Sequence, residues 1–451
     1  MSVNIIGVLG SELGFDALWY HLTLPKTYLA QHQVMHIPGS LLYYSDMPRL
    51  IEMIYAGALA LSSEIYAKLI HFSFGILTLV ALYKFSRKFF NPLFSLLVLV
   101  IFYSNLVVGW MSTTAYIDLA RTFFELMALW GFVNWREKKE NKWLIESAVM
   151  LGLAISTKLL AFGSLFIFII LIIISGRQKS KHYFKNTIKD ILVYLQLSFL
   201  IPLPWFVFSF IHTGNPFFPF FSNLYKVHLE VQLFNPFFHK SDSISLFYSL
   251  ILTTPFLFKK FSPVIKTICI YLFLSLIIWF LTPKTDAGRF VLPYLPALSI
   301  LSVGVLKIIM EKKKILGKIL IGLIIFISLF SITYRFVANT KYFPVLLGLE
   351  TKSEFLSNHL NFSYGDFYDT DNYFKSYLKP TDKVLLYGFH NLYYVDFPFV
   401  DSTFVKEGEK FNYIAIQNGS LPDRFKYWNL VYQNPKTHVK LYSLGGQKWT
   451  Y

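Results

Sequence analysis

The sequence predicts an all-α polytopic membrane bundle of about ten transmembrane helices, followed by a small C-terminal α/β soluble domain. Three observations carry that expectation. The 451 residues are 55% apolar and 19% aromatic, with only 15% charged side chains, a balance typical of polytopic membrane proteins and rare in soluble domains. Apolar runs long enough to cross a bilayer recur from residue 64 to residue 336. The basic residues behind the formal charge of +16 gather in alternate short loops between those runs. That is the positive-inside pattern rather than a phosphate-tracking stripe, and it argues against a nucleic-acid partner. The single cysteine, Cys269, lies in an apolar run, so there is no disulfide framework and no cysteine metal site.

The elements follow in order. Met1–Gly10 has no charged leader ahead of a long apolar stretch, so no cleavable signal peptide is evident. It reads instead as the stub of a first helix whose remainder is expected ahead of this sequence. Residues 11–63 form a first outer loop, with an interfacial helix around Pro48–Ala60. Span candidates are 64–85, 92–111, 115–134, 143–175, 188–211, 244–258, 265–282, 288–308 and 317–336. The stretch 143–175 exceeds the ~20 residues of one span, and Lys158 interrupts it. It is expected to be two helices turning at Ser156-Thr157-Lys158, which makes ten spans.

Loop charge then sets the orientation. One set of loops holds twenty Lys and Arg, from Lys84 to Lys318; the alternate set holds five, namely Lys158, Lys226, Lys240, Lys284 and Arg289. The first set is therefore expected in the cytoplasm. The outer face receives residues 11–63, an aromatic loop at 212–243 with Asn215-Pro-Phe-Phe and Asn235-Pro-Phe-Phe turns, and the tail from 337. A division into a membrane domain, 1–336, and an extracytoplasmic α/β domain, 337–451, follows. Within the tail, Lys383–Gly388, Tyr413–Ile416, Leu430–Tyr432 and Val439–Tyr442 read as short strands, after helical pieces near 352–360 and 370–378.

Ionisable side chains in or beside apolar runs carry the functional signal, because each is costly unless paired or used. Asp118, Arg121 and Glu125 share one helix face; they suit either an internal salt-bridge ladder or a site built on Asp118 with the other two in support. Lys158 breaks its apolar run on the same side as Asp118, where a lysine can also merely snorkel. Arg289 opens a span from outside, where an arginine can also be an interfacial anchor. A lysine and an arginine converging there would suit a lipid phosphate. In Gly14–Lys26, Asp16 stands one turn from Glu12 and suits a general base that takes a proton from an attacking hydroxyl, or else a helix cap. Tyr20, His21 and Lys26 are candidate pocket residues, and Asp46 and Glu52 either pair with Arg49 or join the site. His32 and His36 have metal-ligand spacing without an obvious third ligand. No metal site is therefore assigned, although a divalent cation is compatible. Phosphate-cradling glycine loops and nucleophile elbows are absent. With all candidates on the outer side, where nucleotide donors are generally lacking, any group transfer should use a donor carried by the membrane.

The motifs Phe15-Asp-Ala-Leu-Trp-Tyr-His-Leu-Thr-Leu-Pro-Lys26, Pro48-Arg-Leu-Ile-Glu-Met53, Ala115-Tyr-Ile-Asp-Leu119, Gly152-Leu-Ala-Ile-Ser-Thr-Lys158, Gly214-Asn-Pro-Phe-Phe-Pro219 and Gly288-Arg-Phe-Val-Leu-Pro-Tyr-Leu-Pro296 recur in one order over residues 12–300. Together they resemble the GT-C membrane glycosyltransferases, family 39-like, of the protein O-mannosyltransferase and aminoarabinose transferase superfamily. The resemblance implies a multi-pass plasma-membrane hexosyl- or glycosyltransferase with an extracytoplasmic active site. It implies an inverting transfer from a polyprenyl-phosphate sugar donor to a protein, lipid or glycan acceptor. By the same resemblance Asp16 matches the general base, Asp118 the acid of the next outer helix end, and Lys158 and Arg289 the donor-phosphate contacts. Two departures stand out. The family's transmembrane helix before the first loop is missing, and its paired Asp-Glu motif is broken by Ala17. Two competing readings remain. A transporter or flippase of lipid-linked glycans would spread polar groups through the membrane depth. A non-catalytic anchor for the tail would not require Asp16, Asp118, Lys158 and Arg289 to converge.

Overall fold

The computed structural model describes residues 1–176, 183–223, 243–282, 288–445 and 447–451. The turn at Asn235, the loop cations Lys226, Lys240 and Lys284, and the basic residues Arg177, Lys179 and Lys181 lie outside them.

Most of the chain is helical. Four helices among the described residues are long and apolar enough to cross a membrane: Glu64–Ser86, Pro263–Leu281, Arg289–Lys312 and Lys314–Leu346. A fifth crossing results if Phe184–Leu200 and Leu203–Thr213, bent by 63° at their junction, count as one. The ten expected spans are therefore too many, and the reasons are local. The run 92–111 breaks at Ser104-Asn105 into Pro92–Tyr103 and Leu106–Met111, because Asn105 turns its side chain back onto the carbonyls of Ile101 and Phe102. The run 244–258 yields only a tight 3₁₀ stretch, Leu246–Thr253, and a single further turn. The helix Asp118–Lys138 is long enough to cross, but charges at both of its ends dilute its hydropathy.

The break at Lys158 is present. Helix Asn141–Thr157 ends at an extended Lys158, and Leu159–Ala161 restarts the chain into Phe162–Gly176. The buried core is dominated by the packing of Asp118–Lys138 against Glu64–Ser86 and Asn141–Thr157. Small residues make this close approach possible. A Cβ on Gly131 would meet the backbone of Trp143 and Ser147 at 3.0–3.2 Å.

The tail carries a five-stranded sheet built from β1 (Val384–Tyr387), β2 (Phe399–Asp401), β4 (Tyr413–Ile416), β5 (Asn429–Gln433) and β6 (Lys440–Ser443), in the order β2-β1-β4-β6-β5. β1 runs parallel to β2 and β4, whereas β6 is antiparallel to β4 and β5. A second pair, β3 (Lys410–Phe411) with β7 (Trp449–Thr450), was not visible in the sequence. Alternation along β1 and β4 sends Leu385, Ile414 and Ile416 to one face, under Phe411, Phe425 and Trp428. Val384, Leu386 and Ala415 go to the other. That second face is covered only in part by the tail's own Phe367, Phe374 and Phe389. It packs on Tyr20, Leu24, Tyr28, Ile37 and Leu41 of the first loop, so loop and sheet form one apolar layer. Gly39 lets them approach: with φ at +87°, it leaves no room for a Cβ, which would lie 1.8 Å from the Thr403 carbonyl oxygen.

Asp401, at the end of β2, is 1% exposed and accepts hydrogen bonds only from its neighbour Thr403. Burial lifts its pKa to about 6, against the lowering effect of the Thr403 hydrogen bonds. A carboxylate raised in the folded state costs stability above its folded pKa, and the cost disappears as pH falls through that value. Asp401→Asn is thus expected to raise the unfolding midpoint above pH 6, by an amount equivalent to at most about 3 kcal/mol, and to have no effect below about pH 4. Thermal unfolding across that range is the check.

Candidate active site

The site is assembled at one end of the bundle from four separate stretches. Gly14-Phe-Asp leads into a five-residue π-helical turn, Ala17–His21, a geometry that recurs at functional sites. Asp118 opens its helix, Lys158 sits at the break, and Arg289 begins a 3₁₀ turn, Arg289–Tyr294. Their side chains form an alternating chain of charge. Arg289 Nη2 lies 2.7 Å from Asp16 Oδ2, and Arg289 Nε lies 3.8 Å from Asp118 Oδ2. Lys158 Nζ donates to Asp118 Oδ1 at 2.6 Å. The aromatic ring of Phe290 lies under both cations, 5.3 Å from Lys158 Nζ and 5.5 Å from the Arg289 guanidinium. Asp118 is 1% exposed, whereas the Asp16 side chain retains 16% exposure. Asp16 is therefore the carboxylate that an incoming molecule can reach.

Burial by itself would raise the Asp16 pKa, but Arg289, then His21 and Lys158, outweigh it and hold the carboxyl below the ordinary range. Asp16 is thus ionised at neutral pH. Tyr20 Oη donates to Asp16 Oδ2 at 3.1 Å, and its ring stacks on Tyr44 at 3.6 Å between centroids.

The remaining candidate residues separate into supports and outliers. Glu12 is a backbone clasp: one carboxylate oxygen accepts from the amides of Leu13 and Gly14 at 2.9 and 2.7 Å, the other from the Ala115 amide at 2.5 Å. It ties the Asp16 turn to the turn before Asp118. His21 pairs with Glu52 at 2.7 Å behind the π-helical turn, both buried. Lys26 does not join the cluster. Its Nζ donates to the carbonyls of Tyr393 and Val395 and pairs with Asp396 at 2.6 Å, which fastens the loop to the tail. Arg121 pairs with Glu125 at 2.7 Å, one turn deeper, and Glu125 also accepts from Ser164 Oγ at 2.6 Å. Of the two arrangements open for that face, Asp118 takes Lys158 and Arg289, while Arg121 and Glu125 form the internal pair. Arg49 turns away onto Tyr28, whose hydroxyl it contacts, and onto the Trp205 ring. His36 binds Asp46 at 2.9 Å. Among the described residues no group of three or more His, Cys, Asp or Glu is placed to hold a metal ion.

Four contributors were missed in the sequence. Tyr116 Oη accepts from the Asp16 amide at 3.2 Å, and its ring carries Arg289 at 5.0 Å. Lys68 is fully buried and donates to the carbonyls of Gly7 and Gly10, each at 2.7 Å. His71 bridges the Thr114 carbonyl and the Leu119 amide around Asp118. His390 reaches in from the tail, stacks on Phe15 at 4.7 Å and meets Trp19 at a tilt, 4.2 Å between ring centroids. Lys68 and His71, three residues apart inside an apolar span, were a readable signal, since buried ionisable groups in such spans are costly. Tyr116 lay within the Ala115–Leu119 motif without being singled out, and His390 gave none.

The comparisons with known proteins agree with this architecture. The dolichyl-phosphate-mannose-protein mannosyltransferase family matches residues 46–206. ArnT from Cupriavidus metallidurans superposes with a TM-score of 0.68 at 13% identity in its apo state, covering 98% of this chain and 96% of that one. Its undecaprenyl phosphate-bound structure gives 0.61 at 12% identity over the same shares. The oligosaccharyltransferase of Archaeoglobus fulgidus gives 0.53 at 12% identity, over 92% of this chain and 69% of that one. No curated protein matches the chain. The chain thus shares its fold, the GT-C fold, with these structures.

Proposed function

We propose that the protein is a membrane glycosyltransferase that moves a sugar from a polyprenyl-phosphate-linked donor to an acceptor hydroxyl or amine, with inversion at the anomeric carbon. The observation that carries this reading is the convergence of Asp16, Arg289, Asp118 and Lys158 at one end of the bundle, two cations between an accessible and a buried carboxylate. The undecaprenyl phosphate bound to an ArnT of the same fold supports a polyprenyl phosphate carrier. The scarcity of Lys and Arg in the loops on the Asp16 side supports an extracytoplasmic site.

In the proposed reaction the donor phosphate enters between Lys158 and Arg289, which offer a point charge and a fork of donors. Sharing Arg289 with that phosphate loosens its hold on Asp16, so donor binding itself makes the carboxylate more basic. Asp16 then takes the proton of the acceptor as its oxygen or nitrogen attacks the anomeric carbon from the face opposite the phosphate. The bond from that carbon to the phosphate oxygen breaks, and polyprenyl phosphate leaves with its added negative charge stabilised by the two cations. Asp118 keeps both cations in register. A transporter would need polar groups along its full depth. Below this cluster the Arg121–Glu125 pair is buried and satisfied by Ser164, which favours transfer.

The test is transfer by the full-length protein in vitro from a panel of polyprenyl-phosphate sugars to hydroxyl- and amine-bearing acceptors. Turnover with at least one donor is expected; passage of donors across a vesicle bilayer without any transfer would replace this reading with transport. Arg289→Lys keeps the charge and loses the fork. It is expected to weaken donor binding about tenfold, read as a raised donor KM.

A further inference from the structure

A second polar cavity lies at the opposite end of the bundle, on the same helices that build the Asp16 site. Asp118 and Arg136 stand at the two ends of one helix, about 27 Å apart at ~1.5 Å per residue. Arg289 and Lys307 are likewise separated along the span Arg289–Lys312. The far ends of these helices, with Lys88 and the Lys260–Ile265 segment, enclose about 730 Å³. Four cations line it, Lys88, Arg136, Lys260 and Lys307, against the two acids Glu137 and Glu311.

The internal pairing leaves positive charge in excess. Lys88 is neutralised by Glu137 at 2.6 Å, and Arg136 donates only to the Pro263 carbonyl oxygen at 2.8 Å. Lys260 and Lys307 have no carboxylate within ion-pair distance among the described residues. The side-chain contact with Lys312, together with its like charge, lowers the Lys260 pKa. Two adjacent ammonium groups with no anion between them are unfavourable in the free protein and favourable once an anion is shared. Phe90, Phe261 and Ile265 supply apolar walls to the same cavity, which a free inorganic ion would not use. Basic pockets at the ends of transmembrane helices are suited to phospholipid headgroups.

We propose that this cavity binds the phosphate headgroup of an anionic phospholipid, held by Lys260, Lys307 and Arg136 with its glycerol and upper acyl carbons on the phenylalanine walls. The proposal goes beyond the transfer reaction and does not depend on it. The experiment is native mass spectrometry of the full-length protein in detergent, titrated with phosphatidylglycerol or phosphatidylcholine, with inorganic phosphate as a separate competitor. Wild-type protein is expected to retain one phosphatidylglycerol in preference to phosphatidylcholine. Lys260→Gln with Lys307→Gln is expected to reduce that retention about thirtyfold, while Lys260→Arg with Lys307→Arg keeps it. Equal retention of the two lipids, retention unchanged in the glutamine variant, or loss in the charge-preserving arginine variant would each overturn the assignment. Displacement of the lipid by millimolar phosphate would overturn it in favour of a soluble anion.

Discussion

Asp16→Asn is expected to lower the rate of sugar transfer by about 10²–10⁴-fold, the usual contribution of a general base, without weakening the donor complex. The two readouts separate because the substitution removes the proton acceptor but leaves Lys158 and Arg289 in place. It also releases Arg289 from its 2.7 Å contact with Asp16, so donor affinity should hold or improve. Steady-state kinetics with donor KM and kcat resolved is the measurement; unchanged kcat would remove Asp16 from the mechanism. The charge environment adds a pH expectation. Arg289, His21 and Lys158 keep the Asp16 carboxyl below the ordinary carboxylate range despite burial. In the free enzyme the acid limb of kcat/KM should therefore fall below the ~3.9 of an unperturbed aspartate. In the donor complex, with Arg289 shared, the limb seen in kcat should move upward.

The largest loss of stability is expected one turn deeper. Arg121→Leu leaves the Glu125 carboxyl buried in an apolar helix interior without its cationic partner, with Ser164 as its remaining side-chain partner. Breaking a buried pair on one side costs about 3–5 kcal/mol. Replacing both, Arg121→Leu with Glu125→Leu, should recover most of that loss, because the desolvation of both charges is removed with their attraction. Unfolding in detergent of the two variants and the wild type gives the comparison. A single variant as stable as wild type would mean that water reaches Glu125.

The clustering of these charged side chains was legible for a physical reason. Asp118, Lys158 and Arg289 each interrupt an apolar run, and a charge at such a place must find a partner; the structure brings the three together with Asp16. The break at Lys158 was legible from the excess length of its run and from the lysine that interrupts it. Strands β1, β4, β5 and β6 were legible from their alternation and turn residues, while β2, β3 and β7, at two or three residues each, are too short to show a period. The number of spans was not legible, because hydropathy measures apolar length and not helix continuity. The Asn105 side chain splits one run, and the end charges of Asp118–Lys138 dilute another. The union of first loop and sheet was hidden too. Tyr20 and Leu24 share one apolar cluster with Val384 and Leu441 across most of the chain, and packing at that separation leaves no local pattern. Loop residues such as Lys26 were therefore read as pocket lining when they fasten the loop to the tail.

That fastening has a consequence for how the protein comes into being. The loop that carries Asp16 is synthesised before the sheet, yet the apolar cluster that Tyr20, Leu24 and Tyr28 share with the sheet is completed only when Leu441 has been added. At ~5–20 residues per second, the loop waits on the order of 20–80 s on the ribosome-bound chain, its apolar side uncovered, while the membrane helices are laid down beneath it. The layer that joins loop and sheet can thus be completed only after Leu441 has left the ribosome.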